Sequence, residues 1–165
     1  MKTPILSLSF LFIFQSVVFA QSGLPEVPVK DLKGNERSFA GLFEQAGDTP
    51  VIVSFWATWC GPCIKELEAI NENLEDWQKN TTFKLAAISV DDSRTVGRVR
   101  PFVKGRGWTF DIFTDVNNDL KRALNIPNVP HTLIIKNRKI VYQHDGYLPG
   151  NEEELIEKVR ALSGK

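Results

Sequence analysis

The chain has 165 residues, 42% of them hydrophobic, and balances 20 Lys and Arg against 20 Asp and Glu. That length and apolar content support one domain with a real core. A neutral chain without a basic block gives no argument for nucleic acid or an anionic membrane surface, so neither is an expected partner.

The first twenty residues read as a leader outside the fold. Lys2 gives a positive start, Ile5 to Phe14 is almost wholly apolar, and Val18-Phe19-Ala20 suits a signal peptidase, with cleavage expected before Gln21. Gln15 and Ser16 interrupt the run short of the roughly 20 residues a spanning helix needs. An uncleaved membrane tether is therefore the second reading, and a lipid anchor is not expected because no cysteine follows the run. Residues 21–165 are expected to form one domain of an exported protein, periplasmic or otherwise extracytoplasmic. A thiol pair stays reduced in such a compartment only if electrons are supplied, so a reductant is an implied partner.

Along the domain, Val27 to Leu32 and Glu36 to Phe39 flank a Lys33-Gly34-Asn35 turn and predict a short hairpin. Val51 to Ala57 is a continuous apolar strand of the kind covered on both faces. Ile64, Leu67, Ile70, Leu74 and Trp77 then trace one buried helical stripe, on which Glu66 lies off-centre. Phe83 to Val90 is a second apolar strand ending in Asp91-Asp92-Ser93. From Arg94 to Gly107 a weak helical pattern is interrupted by Gly97 and Pro101. A strand at Thr109 to Phe113 and a short helix at Asn117 to Leu124 follow. Thr132 to Ile135 and Ile140 to His144 form an antiparallel pair, and Asn151 with Glu154 predicts a capping box ahead of a terminal helix. The order predicts an α/β fold, a central mixed sheet with helices on both faces.

The chemistry concentrates at Trp59-Cys60-Gly61-Pro62-Cys63, which holds the only two cysteines. A disulfide between them closes too small a loop to restrict the unfolded chain much, so reversible exchange is the better use of the pair. With a helix starting near Gly61, Cys60 lies at its positive end, beside unsatisfied N–H groups that favour a thiolate. Pro62 suits the first turn. Cys63 lies one turn on, inside the helix, which makes Cys60 the expected nucleophile and Cys63 the resolving thiol. The redox-active disulfide is the only cofactor expected.

The phrases Phe55-Trp56-Ala57-Thr58-Trp59-Cys60-Gly61-Pro62-Cys63, Glu66 and Val129-Pro130-His131-Thr132 resemble the thioredoxin superfamily, more closely its exported TlpA/ResA-like branch. The likeness covers roughly Val27 to Leu162, with a helical insert near Ser93 to Trp108. It implies a thioredoxin-like fold and a thiol:disulfide oxidoreductase that acts on disulfide-containing client proteins and is charged by a membrane-bound thiol reductant; with no dimerisation region in the sequence, a monomer is expected. Gly61-Pro62 resembles the dipeptide of reducing members. Pro130, with Val129, matches the cis-proline loop that binds extended substrate, Trp59 the aromatic beside the nucleophile, and Glu66 the acidic residue implicated in proton handling. Ser54 stands where ordinary thioredoxins carry a buried aspartate. ResA-like relatives act on apocytochrome c, so cytochrome c maturation is one expected setting.

Other classes are weighed on the same residues. A zinc site needs about four ligands, and beyond the cysteines only His131, His144 and scattered carboxylates are available. The alternative function is a thioredoxin-fold copper metallochaperone using Cys60, Cys63 and His131, since thiolates favour Cu(I). Its relatives carry one more residue between the cysteines. A thiol peroxidase needs a Pro-x-x-x-Thr-x-x-Cys pattern that is missing here. Glu66 has a plain reading as a solvated helix residue, His131 as a loop residue and His144 as a structural residue at a strand end.

Overall fold

The computed structural model describes residues 23–164. The expected leader and its cleavage site at Gln21 lie outside the described residues. Among the described residues, no helix is long and apolar enough to cross a membrane.

Seven strands form one sheet in the order β2-β1-β5-β4-β3-β6-β7. The hairpin is β1 (Pro28–Asp31) with β2 (Glu36–Ser38). The turn between them is closed by Asp31, whose carboxylate accepts from the backbone N–H groups of Lys33 and Asn35 at 2.8 and 2.9 Å. The centre is β3 (Val51–Trp56), fully buried, parallel to β4 (Lys84–Ser89) and antiparallel to β6 (His131–Lys136). The remaining strands, β5 (Asp111–Thr114) and β7 (Lys139–Asp145), complete the mixed sheet.

Alternation along β3 divides the core. Ile52 packs with Ile70, Leu74 and Trp77 of α1 (Gly61–Asn80) and with Leu155, Ile156 and Val159 of α4 (Asn151–Leu162). Val53 and Phe55 join the cluster with Val99 and Val103 of α2 (Val99–Arg106) and Leu120 of α3 (Asp119–Ala123). Helices therefore cover both faces, as residues of period two on a sheet require. Each fully buried aliphatic side chain of this kind contributes about 1.5–3 kcal/mol.

Three local expectations are corrected. The buried stripe of α1 runs through Cys63, Glu66, Leu67, Ile70, Leu74 and Trp77, with Ile64 only half-buried, so the helix is rotated toward the glutamate. The interrupted segment after Ser93 resolves into a 3-10 turn at Val96–Arg98 that passes directly into α2. Pro101 fits there because it falls in the first turn, where its missing N–H costs nothing. Asn151 and Glu154 do not form a capping box. Gly150, at φ 102°, is the cap, Asn151 accepts from the Leu148 N–H at 2.7 Å, and Glu152 accepts from the Gly150 N–H at 2.9 Å.

Candidate active site

The β3–α1 connection builds the site. Apolar β3 delivers the chain to Thr58 and Trp59, and Cys60 becomes the N-cap of a 20-residue helix with extended backbone angles (φ −94°, ψ 96°). The Cys60 Sγ accepts from the Cys63 N–H at 3.3 Å. A side chain at this position normally carries oxygen and takes one of the helix's orphan donors. Sulfur in its place receives the same N–H and the positive end of the helix dipole, both of which favour its anionic form. No acidic residue stands in the first turn to oppose that charge.

Cys60 and Cys63 are joined as a disulfide with Cα atoms 5.3 Å apart. Cys63 is fully buried and Cys60 5% exposed, so the outer sulfur belongs to Cys60. Gly61 and Pro62 are exposed, and Trp59 is 60% exposed, an unusual setting for a large aromatic. The Val129-Pro130 bond is cis, with Pro130 buried and Val129 half-buried. Because Phe55 pairs with His131, this loop lies at the same end of the sheet as the reactive pair. Val129 and Trp59 line one shallow groove of about 190 Å³ with Val90, Asn118, Lys121 and Pro127. A larger cavity of about 300 Å³ near Arg37, Lys84 and Phe113 does not include the thiols. A shallow groove beside the sulfurs suits an extended protein segment better than an engulfed small molecule.

Beneath the pair lies a polar cluster. Glu66 is 1% exposed, which overturns its reading as a solvated helix residue. Its Oε1 accepts from the Thr132 hydroxyl at 2.9 Å and lies 3.2 Å from His144 Nε2, while Oε2 accepts from the Ser54 hydroxyl at 3.3 Å. Ser54 pairs with Thr132, and Thr132 with His144, so the three form one row across β3, β6 and β7 under α1. A buried carboxylate is tolerated only with such partners. Glu66 and Cys63 are three residues apart on one helix, a spacing that places side chains on neighbouring positions of the same face. Ser54, in place of a buried aspartate, thus supports a carboxylate supplied by the helix.

Two site features were not visible in sequence. His144, read as structural, contacts the buried carboxylate; alternation along the edge strand β7 is the signal that places it with Tyr142 on the helix-facing side. Asp91, read only as a strand end, is fully buried. It accepts from the Thr58 N–H at 2.8 Å, the Thr58 hydroxyl at 2.6 Å and the Ser89 hydroxyl at 2.8 Å, and so fastens the turn before Trp59 to the end of β4. His131 is not a loop residue: it opens β6, is buried, and its Nδ1 lies 2.6 Å from Asp145 Oδ1. No group of three or more His, Cys, Asp or Glu side chains is arranged to hold a metal among the described residues.

Two vicinal sulfurs cycling between thiol and disulfide on a thioredoxin-like frame define the class: a protein-disulfide oxidoreductase. The chain belongs to the AhpC/TSA family, whose model matches residues 21–144. It is 30% identical over 130 residues to the thiol-disulfide oxidoreductase ResA of Geobacillus thermodenitrificans, covering 78% of this chain and 71% of that one. The thioredoxin-like protein YneN of Bacillus subtilis is 29% identical over 134 residues, 79% of this chain and 74% of its own. Among solved structures, a thioredoxin-like protein from Porphyromonas gingivalis superposes with a TM-score of 0.75 at 42% identity, over 85% of this chain and 91% of that one. The chain is accordingly a thiol-disulfide oxidoreductase of the ResA type, with Cys60 and Cys63 at disulfide distance.

Proposed function

We propose that this protein reduces disulfides of exported client proteins outside the cytoplasm, drawing electrons from a membrane-bound thiol donor. The observation that carries the reading is the placement of Cys60 at the head of α1, its sulfur receiving the Cys63 N–H, while Cys63 lies fully buried behind it. The Cys60 thiolate attacks a client disulfide, forms a mixed disulfide and releases one client sulfur as a thiolate that takes a proton from water. Cys63 then gives its proton to Glu66 and attacks Cys60 Sγ. The second client sulfur leaves with the bonding pair, and the Cys60–Cys63 disulfide remains. A dithiol donor reverses the state of the pair and is itself oxidised. Trp59, Gly61, Pro62, Val129 and Pro130, on the two connections at the same end of the sheet as the outer sulfur, form the surface against which the client segment lies.

The leader-like sequence before Gln21 supports the extracytoplasmic setting. A buried Cys63 beside a buried carboxylate supports the division of labour between the thiols. The test is to express Cys63→Ala in the protein's own compartment and recover it without reductant. Adducts to client proteins through Cys60, released by dithiothreitol and absent from the Cys60→Ala, Cys63→Ala double variant, are the expected result. Recovery of the single variant with no protein adduct contradicts the reading.

A further inference from the structure

We propose that His144 is a proton relay between the buried Glu66 carboxylate and solvent, used each time the Cys63 sulfur gains or loses its proton. This deepens the reading of Glu66 as the base for Cys63 and rests on it. Glu66 is sealed from water: its side chain is 2% exposed and its two oxygens are occupied by Ser54, Thr132 and His144. A base so enclosed turns over only if its proton has an exit. Ser54 is fully buried and so is Thr132. His144 alone of the three partners retains contact with solvent, with 18% of its side chain exposed, from the edge strand β7. It is also the only one with two ring nitrogens, so that one can give up a proton while the other takes one.

The oxidised state fits the end of one half-cycle. Glu66 as a carboxylate accepts from two hydroxyls and from Nε2–H of a neutral His144, which leaves both its oxygens satisfied. When a thiol donor opens the disulfide, Cys63 leaves as a thiolate; Nε2–H passes its proton to the Glu66 carboxylate, Glu66 hands it on to the Cys63 sulfur and is a carboxylate again, and Nδ1 gains one from water. In client reduction the sequence reverses: Cys63–H protonates Glu66, Glu66 passes the proton to Nε2, and Nδ1–H releases one to water. The thiolate then attacks Cys60 Sγ, one S–S bond forms as another breaks, and the ring ends in its starting tautomer. No co-reactant beyond the thiols and water is required.

The other ionisable groups near the ring do not substitute for it. Tyr142, with its ring 5.8 Å away, has its phenol raised by burial and by Glu154 of α4, and Lys158 of α4 stands over the Tyr142 ring at 5.8 Å. Tyr147 is pushed up to about 12, first by burial and then by Glu152, with smaller contributions from Glu66 and Glu72 of α1. Both phenols stay protonated from pH 5 to 9. His131 and Asp145 flank His144's pairing partner Thr132 and His144 itself, each one residue along, and face the opposite side of the sheet.

The experiment separates the two thiol steps. The first attack is followed on Cys63→Ala protein, and resolution is followed as the decay of a preformed Cys60 mixed disulfide with thionitrobenzoate from pH 5 to 9. His144→Phe is expected to leave the first attack unchanged and slow resolution by about tenfold, with added imidazole restoring part of the rate; general acid–base groups typically contribute at least that factor. His144→Gln keeps an N–H for Glu66 but has no second nitrogen to take up a proton as that one is given away. It is expected to be as slow as His144→Phe if the ring relays protons. Resolution at the wild-type rate in His144→Gln overturns the relay and leaves His144 as a holder of the carboxylate. Equal slowing of both steps overturns it as well. Failure of the parent reading is distinct, because Glu66→Gln then resolves the mixed disulfide at the wild-type rate.

Discussion

Replacing Glu66 by Gln is expected to slow resolution of the mixed disulfide by about a hundredfold near neutral pH while the domain stays folded, the lower range of what a positioned base contributes. The side chains are isosteric, and the partners adapt. With the new NH2 facing Ser54, that hydroxyl rotates to accept from it while Thr132 and His144 still donate to the remaining oxygen, so no buried group is orphaned. The stability cost is accordingly expected to be only about 1 kcal/mol, the worth of one charge-assisted bond exchanged for a neutral one. Stopped-flow decay of the mixed disulfide measures the rate, and thermal unfolding checks the fold. A rate that matches the wild type from pH 5 to 9 removes Glu66 from the mechanism.

Asp91→Ala is expected to damage the fold and the reactive turn together. The carboxylate is fully buried and holds three donors, among them the Thr58 N–H, which has no alternative partner in the turn. Leaving buried donors unmet costs about 1–3 kcal/mol each, partly relieved when the hydroxyls turn away, so a loss of about 3 kcal/mol is expected. For a domain of this size that lowers Tm by roughly 10 °C. The effect reaches the chemistry because Thr58 is two residues before Cys60: a loosened turn misplaces Trp59 and the N-cap sulfur. Asp91→Asn keeps an oxygen for the Thr58 N–H and is expected to recover about half of the loss. An Asp91→Ala protein with unchanged Tm shows that the turn is fastened by something else.

The parts legible in the sequence are those in which local pattern and tertiary fate agree. β3 is apolar throughout because both its faces are covered, and α1 announces itself through Pro62 and its stripe. The reactive pair is plain because no other cysteine competes with it. The parts that were hidden depend on contacts between distant elements. Glu66 sits off the apparent stripe because the wheel counts only apolar residues, whereas the helix turns its buried face to include a carboxylate that Ser54 and Thr132 receive. His144 carries no local mark beyond the alternation of an edge strand, and its meaning comes from register across β3, β6 and β7. Asp91 looks like an acidic strand end, since the donor that explains it lies 33 positions earlier at Thr58. The absent capping box has a local cause: Gly150 adopts a positive φ as the cap, which starts the helix at Asn151, one residue earlier than the Asn-x-x-Glu spacing requires.

The central claim is that the outer sulfur is ionised and reachable near neutral pH while the inner one is withheld. Alkylation of the reduced protein by iodoacetamide between pH 4 and 10, with each cysteine resolved by mass spectrometry, measures this directly. The account predicts that Cys60 reacts with a midpoint well below the ordinary thiol value of about 8.5 and that Cys63 stays unmodified until the protein unfolds. Two thiols that react together with midpoints near 8.5 contradict it.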